Sequence, residues 1–275
     1  MRTLQLFLDT YPIACLILYS LAALLVGSVL SMLIYRLPII LMQAETHDSQ
    51  TQSSSPFNLF LPRSHCVHCK KTIPIYHNIP LLSYLLLRGR CHHCRHAIAW
   101  RYPFVEASTL LLSLIAVYVF GYHLILVAVL PFIWICIALT MIDLEHQLLP
   151  DTLTYSLLWL GLLINTQTVF CSLTNAVWSA ASAYLILWLI IKLFYLCTGK
   201  IGMGNGDFKL FAAFAAWFGW TALTPILLVA CVLGIIIGSL YLWHHKKNRH
   251  HTIPFGPYLC IAGLSYLFLP MLKQF

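Results

Sequence analysis

Two aspartates stand out in a chain of 275 residues that contains only eight acidic side chains. Asp143 ends an apolar run that begins at Leu124, and Asp207 follows a glycine-rich turn at residues 202–206. A carboxylate at membrane depth costs several kcal/mol, so an intramembrane aspartate is a functional candidate by default. Two carboxylates held close together can share one proton, so that one activates a water while the other polarises a carbonyl. These residues therefore favour the acid–base chemistry of aspartic proteases, provided that the fold brings them together.

Each acidic residue near these positions also has a simpler interpretation. Asp207 could cap the next apolar helix, where the helix dipole favours an anion, and the sequence alone does not decide between capping and catalysis. Asp143 has no comparable role, because the dipole is unfavourable to a carboxylate at the C-terminal end of its own helix. Asp151 is interpreted as a helix cap and only secondarily as a catalytic residue. For Glu106 we expect a pairing with a nearby arginine.

The elements that must position these aspartates are membrane helices. Sixty per cent of the residues are hydrophobic and nine per cent are charged, and the mean hydropathy is +0.84, which is typical of a polytopic membrane protein. We predict an all-α fold with about eight transmembrane helices and a small cytoplasmic insert resembling a zinc ribbon. The first segment is interpreted as a retained helix rather than a signal peptide. The predicted segments lie near residues 11–41, 102–121, 124–143, 152–170, 175–198, 221–243 and 253–272, with a shorter one at 208–220 that either spans the membrane or is re-entrant.

The distribution of basic residues predicts the orientation. If residues 42–101 are cytoplasmic and the chain crosses at every predicted segment, the cytoplasmic regions and their flanks hold 14 of the 16 Lys and Arg residues, all except Arg2 and Lys273. This asymmetry follows the positive-inside rule, and it places Asp143 and Asp207 at the same cytoplasmic boundary. The net charge of +8 is thus a signal of topology, and we expect the lipid bilayer, but no nucleic acid, as a partner.

The polar insert contains two CxxC pairs, Cys66 with Cys69 and Cys91 with Cys94, separated by 21 residues. This spacing is typical of a zinc ribbon, in which four thiolates close a tetrahedral and therefore structural Zn²⁺ site. Two disulfides or four free thiols are the alternatives, although a cytoplasmic location disfavours disulfides. Four thiolates already complete the shell, although a nearby histidine could replace one of the cysteines. These histidines are His65, His68, His92, His93 and His96. The other six cysteines are interpreted as small core residues.

The predicted domains follow from these assignments. Residues 1–41 form an N-terminal transmembrane helix, and residues 42–101 form a cytoplasmic region with a flexible linker at 43–56 and the tetracysteine domain. Residues 102–275 form the transmembrane core that carries both aspartates.

In combination, these motifs resemble those of the type IV prepilin peptidases, and the resemblance covers nearly the whole chain. The Asp143 region and the GxGD element that ends at Asp207 match the two catalytic elements of that family. The other matching segments lie at residues 27–38, 62–69, 76–80, 87–94, 101–106, 149–151 and 254–257.

The resemblance implies a membrane aspartic endopeptidase of the bacterial inner membrane, with its active site facing the cytoplasm. Such enzymes cleave the basic leader of prepilins or pseudopilins after a glycine and then methylate the new N-terminus with S-adenosylmethionine. By resemblance, Asp143 and Asp207 are jointly the proteolytic dyad, and which of them is the base stays open. The methyl-donor site is undefined, although the family associates this activity loosely with the cysteine domain.

Two other classes of function compete with this interpretation. A proton-coupled transporter would explain intramembrane carboxylates, but it gives the cysteine insert no role and predicts an inverted-repeat hydropathy pattern that the sequence does not show. A non-catalytic scaffold of secretion assembly would use the insert to bind partners. Leader cleavage that depends on both aspartates separates the protease from these two classes.

Overall fold

The computed structural model describes residues 12–46, 58–59, 65–66, 68–74, 79–200, 202–244 and 253–272. Within these residues the chain forms helices and no strand, apart from two isolated β-bridges in the cysteine region. The all-α prediction is therefore confirmed. The helices are α1 (Pro12–Thr46), α2 (Leu82–Leu86), α3 (Arg101–Phe120), α4 (Ile125–His146), α5 (Asp151–Asn165), α6 (Leu173–Thr198), α7 (Asn205–Phe218), α8 (Trp220–His244) and α9 (Gly256–Leu272).

Each of the eight apolar segments predicted from the sequence corresponds to one of the longer helices. Five of them, α1, α3, α4, α6 and α8, are long and apolar enough to cross a membrane, and α9 is a shorter apolar helix. Helix α7 has 14 residues, which at 1.5 Å per residue gives a length of about 21 Å. This is less than the hydrocarbon thickness of about 30 Å, so α7 alone is too short to span a bilayer.

The chain folds as two compact units, and the first is Met1–Gly121. Its helices α1 and α3 pack closely because Gly27 leaves room for the backbone of α3: a Cβ added there would lie 3.0 Å from Cα of Glu106. The Tyr19 hydroxyl donates a 2.8 Å hydrogen bond to the carbonyl of Ser113 along the same interface. Residues 43–46 of the predicted linker belong to α1, and residues 47–56 lie outside the described part. The division at residues 41 and 101 stays a prediction.

The second unit, Tyr122–Phe275, is built around α7. This helix contacts α5, α6, α8 and α9, and it is buried along almost its whole length. Trp217, fully buried near its end, packs on Gly161 of α5, where an added Cβ would lie 2.5 Å from its indole Cδ1. The indole N–H donates to the carbonyl of Leu157 at 2.8 Å. The absence of a side chain at Gly161 thus allows the largest residue of α7 to fit inside the unit.

The C-terminal end of α7 is anchored by polar side chains of its neighbours. Asn165 donates hydrogen bonds of 2.8 Å to the carbonyls of both Ala216 and Trp217. The Ser179 hydroxyl lies 2.6 Å from the carbonyl of Asn175 in its own helix and 3.0 Å from the carbonyl of Ala215, so that it links α6 to α7. The last carbonyls of a helix lack partners within the helix, and at membrane depth only protein groups can supply them. These contacts fix the short helix in place, and with it the residues at its opposite end.

Candidate functional site

Asp143 lies in the last turns of α4 and is only 5% exposed. Its Oδ2 accepts a 2.9 Å hydrogen bond from the backbone N–H of Gly256, which is the first residue of α9. An anion near the N-terminus of a helix is stabilised by the helix dipole. The unfavourable dipole that the sequence analysis assigned to Asp143 is therefore offset by a second helix that begins 113 residues later.

Gly256, which belongs to the matching segment 254–257, directly contacts the Asp143 carboxylate. A Cβ added there would lie 2.6 Å from Oδ2 of Asp143 and 3.0 Å from Cδ2 of Leu149. No side chain fits at this point without moving the carboxylate. The sequence pointed to this glycine only through the segment 254–257, which matches the prepilin peptidases. No local pattern in the sequence explains why a glycine is needed there.

Asp207 lies in the first turn of α7 and is 7% exposed. The N-cap residue is Gly204, so Asp207 is not the N-cap itself. Its carboxylate, in the first turn, has a backbone hydrogen bond from Gly204. Its Oδ1 is buried and has no hydrogen-bond partner in the part of the chain that the structure describes. Buried polar atoms without partners are rare and need a specific explanation.

Asp143 and Asp207 lie close enough within the second unit for the charge of the Asp143 carboxylate to act on Asp207. Leu149 lies between the turn before Asp207 and the start of α9, which contacts Asp143. A Cβ added at Gly206 would lie 2.8 Å from Cβ of Leu149, and one added at Gly256 would lie 3.0 Å from its Cδ2. Glycines on both sides of this leucine thus let the turn before Asp207 and the start of α9 approach the end of α4 closely.

Lys209, two residues after Asp207 in the chain, forms an ion pair. Lys209 Nζ contacts both carboxylate oxygens of Asp151, at 2.6 and 2.7 Å, and lies 5.4 Å from the ring centre of Tyr155. Asp151 begins α5, but its N-cap is Pro150 and no side-chain capping bond is present. The predicted capping role of Asp151 is therefore wrong, and its carboxylate instead joins the start of α5 to the start of α7.

The four predicted cysteine ligands form one cluster in the first unit. Their Sγ atoms all lie within 4.8 Å of one another, and among the described residues no histidine or carboxylate belongs to the group. The loops that begin at Cys66 and Cys91 share one backbone pattern, in which the cysteine N–H donates to the carbonyl five residues later. Lys70 and Arg95 occupy equivalent positions with φ of 55° and 59°. The cluster thus consists of two equivalent knuckles, as expected for a zinc ribbon.

The chemistry of these thiols fits a cation. All four are free cysteines rather than disulfides. A backbone hydrogen bond at Cys94, which outweighs desolvation, lowers the pKa of the Cys91 thiol to about 7. The His96 backbone lowers the pKa of Cys94, but desolvation and the three neighbouring sulfurs outweigh it and raise this pKa to about 11. Four sulfurs at such short range can all ionise only when a cation lies between them.

Glu106 is the remaining acidic residue that the sequence analysis assigned. It is 9% exposed, and its Oε2 accepts a 2.8 Å hydrogen bond from the backbone N–H of Leu81. No arginine of the described residues forms an ion pair with it. The predicted arginine pairing is therefore wrong for this part of the chain.

Comparison with known proteins matches both units. Residues 21–120 match the family model described as the bacterial peptidase A24 N-terminal domain, and residues 130–239 match the type IV leader peptidase family. A "Prepilin leader peptidase/N-methyltransferase" of Legionella pneumophila is 52% identical over 265 residues, which cover 94% of this chain and 92% of that protein.

Proteins of the same name from two other bacteria are also similar. The one from Stutzerimonas stutzeri is 45% identical over 264 residues, covering 94% of this chain and 91% of its own length. The one from Pseudomonas putida is 43% identical over 267 residues, covering 95% of this chain and 93% of its own length. No solved structure matches the chain.

Proposed function

We propose that Asp143 and Asp207 form the proteolytic dyad of this chain, which belongs to the type IV leader peptidase family. The enzyme removes the leader peptide from prepilins and N-methylates the product. Family membership does not favour the transporter and scaffold alternatives. The observation that carries the assignment of the dyad is the buried, unpartnered Oδ1 of Asp207 beside a second buried carboxylate.

The surroundings of the two carboxylates suggest how they divide the work. The Gly256 N–H and the start of α9 favour a negative charge on Asp143. Asp207 also lies at a helix start and has a backbone hydrogen bond from Gly204, but its Oδ1 is buried with no donor among the described residues. We therefore place the shared proton on Asp207. Asp143 then takes a proton from a water that attacks the scissile carbonyl, while Asp207 donates its proton to the carbonyl oxygen. Collapse of the tetrahedral intermediate breaks the C–N bond. The leaving amine receives the proton held by Asp143, and the hydroxyl that becomes the new carbonyl returns its proton to Asp207, so that both carboxyl groups regain their starting states.

The cysteine cluster is proposed to hold a structural Zn²⁺. Bonds of about 2.3 Å in a tetrahedral Cys₄ site imply sulfur separations of about 3.8 Å, and Sγ of Cys66 and Sγ of Cys94 are 3.8 Å apart. A closed shell of Cys66, Cys69, Cys91 and Cys94 leaves no position for a substrate. When bound, such an ion would contribute directly to the folding of this small region.

The methyl donor is proposed to be S-adenosylmethionine, which supplies an electrophilic methyl group to the new α-amine.

The helices identify a multi-pass membrane protein, and the positions of the basic residues support the bacterial inner membrane with the dyad at the cytoplasmic face. Prepilins or pseudopilins are the proposed partners, because their leaders would be presented at that boundary.

The dyad is tested by Asp143→Asn and Asp207→Asn, with Glu145→Gln as a matched control on the exposed side of α4. Leader cleavage of a prepilin by each purified variant should fall by about 10²-fold to 10⁴-fold, because each change removes one partner in proton transfer. Methylation of a synthetic, already cleaved substrate should continue in both variants. Cleavage at the rate of the control in either variant would show that the dyad is assigned incorrectly.

A further inference from the structure

The first unit contains a cavity that the proteolytic site does not use. Its volume is about 580 Å³, and it lies between α1, the start of α3 and the cysteine loops. Ser31 and Tyr35 of α1 line it on one side, and Arg101, Tyr102 and Glu106 of α3 line it on the other. This volume is within the range of about 300–1,000 Å³ that is typical of small-molecule sites.

Glu106 gives the cavity a buried carboxylate. Its contact with another group in the described structure is one hydrogen bond from the Leu81 backbone N–H, and no cationic side chain there pairs with it. Carboxylates are almost never this buried unless they are paired. The cavity therefore offers one side of an ion pair to a ligand that carries a positive charge.

Ser31 provides an independent sign of a ligand. Its side chain lines the same cavity and is 7% exposed. Its Oγ has no hydrogen-bond partner among the described residues. An unsatisfied buried hydroxyl is unfavourable, and a polar ligand atom in the cavity would satisfy it.

Aromatic and basic side chains from both walls meet in the cavity. The Arg101 guanidinium carbon lies 5.1 Å from the ring centre of Tyr35 and 4.9 Å from that of Tyr102. Flat π faces beside a guanidinium suit a ligand that has both a planar ring and a carboxylate. Together with Glu106 and Ser31, the cavity combines groups for a cation, an anion, a hydroxyl and an aromatic ring.

We infer that this cavity binds the methyl donor, S-adenosylmethionine, with Glu106 facing a cationic group of the ligand and Ser31 hydrogen-bonded to it. The ligand carries an ammonium, a sulfonium, a carboxylate, a ribose and an adenine, which match the four kinds of group in the walls. The inference rests on the proposed methyl-transfer activity and assigns it to residues of the first unit. Because the cysteine loops form part of the wall, it also gives the metal cluster a role in shaping the donor site.

The test measures binding of S-adenosylmethionine to the full-length protein in detergent by calorimetry. Glu106→Gln removes the charge but keeps a carbonyl that can accept the Leu81 hydrogen bond, and it should weaken binding at least about tenfold. Ser31→Ala removes a hydroxyl without a partner, so it should not disturb folding and should weaken binding about threefold to tenfold. Ser20→Ala, an exposed position on the same helix, is the control and should bind like the wild type.

Hydrogen exchange and leader cleavage complete the test. S-adenosylmethionine should slow amide exchange at residues 79–87 and 101–106, and all three variants should cleave leaders normally. Wild-type affinity in both cavity variants, or protection confined to residues 122–272, would overturn the inference while leaving the enzyme's function intact. A wild-type protein that cleaves leaders but never methylates the product would instead overturn the methyl-transfer function on which the inference rests.

Discussion

Replacing Gly256 by alanine tests the geometry of the aspartate site with one methyl group. The added Cβ would lie 2.6 Å from Asp143 Oδ2, a separation at which one of the two groups must move. The 2.9 Å hydrogen bond between the Gly256 N–H and this oxygen would then lengthen. Hydrogen bonds to charged groups contribute about 1.5–3 kcal/mol, and each 1.36 kcal/mol of barrier is a tenfold change in rate. We therefore expect kcat for leader cleavage to fall by about tenfold to 150-fold.

The same substitution should not unfold the protein. Alanine is favoured over glycine in a helix by about 0.5–1 kcal/mol, and φ of Gly256 is not positive. The assay is single-turnover cleavage of a prepilin in detergent, with the thermal unfolding midpoint measured in parallel. Gly234→Ala is the matched control, because its added Cβ would meet only ordinary contacts from 3.4 Å outward. Cleavage by Gly256→Ala at the rate of this control, in a folded protein, would refute the role given to the Gly256 contact.

Three further predictions concern the supports of the two sites. Lys209→Met should lower the cleavage rate by no more than about fivefold, because a partly exposed ion pair contributes only about 0.2–1 kcal/mol. Adding Asp151→Asn to this variant should cause no further loss of rate, and additive losses would contradict the pairing. Cys66→Ser should release the bound metal, as measured by elemental analysis, and should reduce methylation more than cleavage. Cys197→Ser changes an exposed cysteine outside the cluster, so it should alter neither the metal content nor the two activities. Asn165→Ala should destabilise the protein by about 2 kcal/mol or more, seen as a lower unfolding midpoint, because it leaves buried carbonyls without a donor; an unchanged midpoint would contradict the anchoring of α7.

The parts of the molecule that could be predicted from the sequence are those with a local signal. Hydropathy located the eight longer helices to within a few residues, and the CxxC spacing located the cluster, because both depend on residues close together in the chain. The contact between Asp143 and Gly256 joins positions 113 residues apart, and no local pattern specifies it. The capping role predicted for Asp151 failed for the same reason, since its partner Lys209 is 58 residues away.

The two ends of α7 show how a short helix can hold a reactive carboxylate inside a membrane protein. At its C-terminal end, the Asn165 side chain of α5 donates to the carbonyls of Ala216 and Trp217, and the Gly219 N–H donates to that of Ala215. This end is therefore fixed at little electrostatic cost. At its N-terminal end, Asp207 retains a buried oxygen without a partner among the described residues. A helix anchored at one end can hold an unsatisfied group at the other, because the group cannot relax by moving the helix away. A water or a peptide carbonyl that binds there would satisfy this oxygen, which is what the proposed proteolytic role of Asp207 requires.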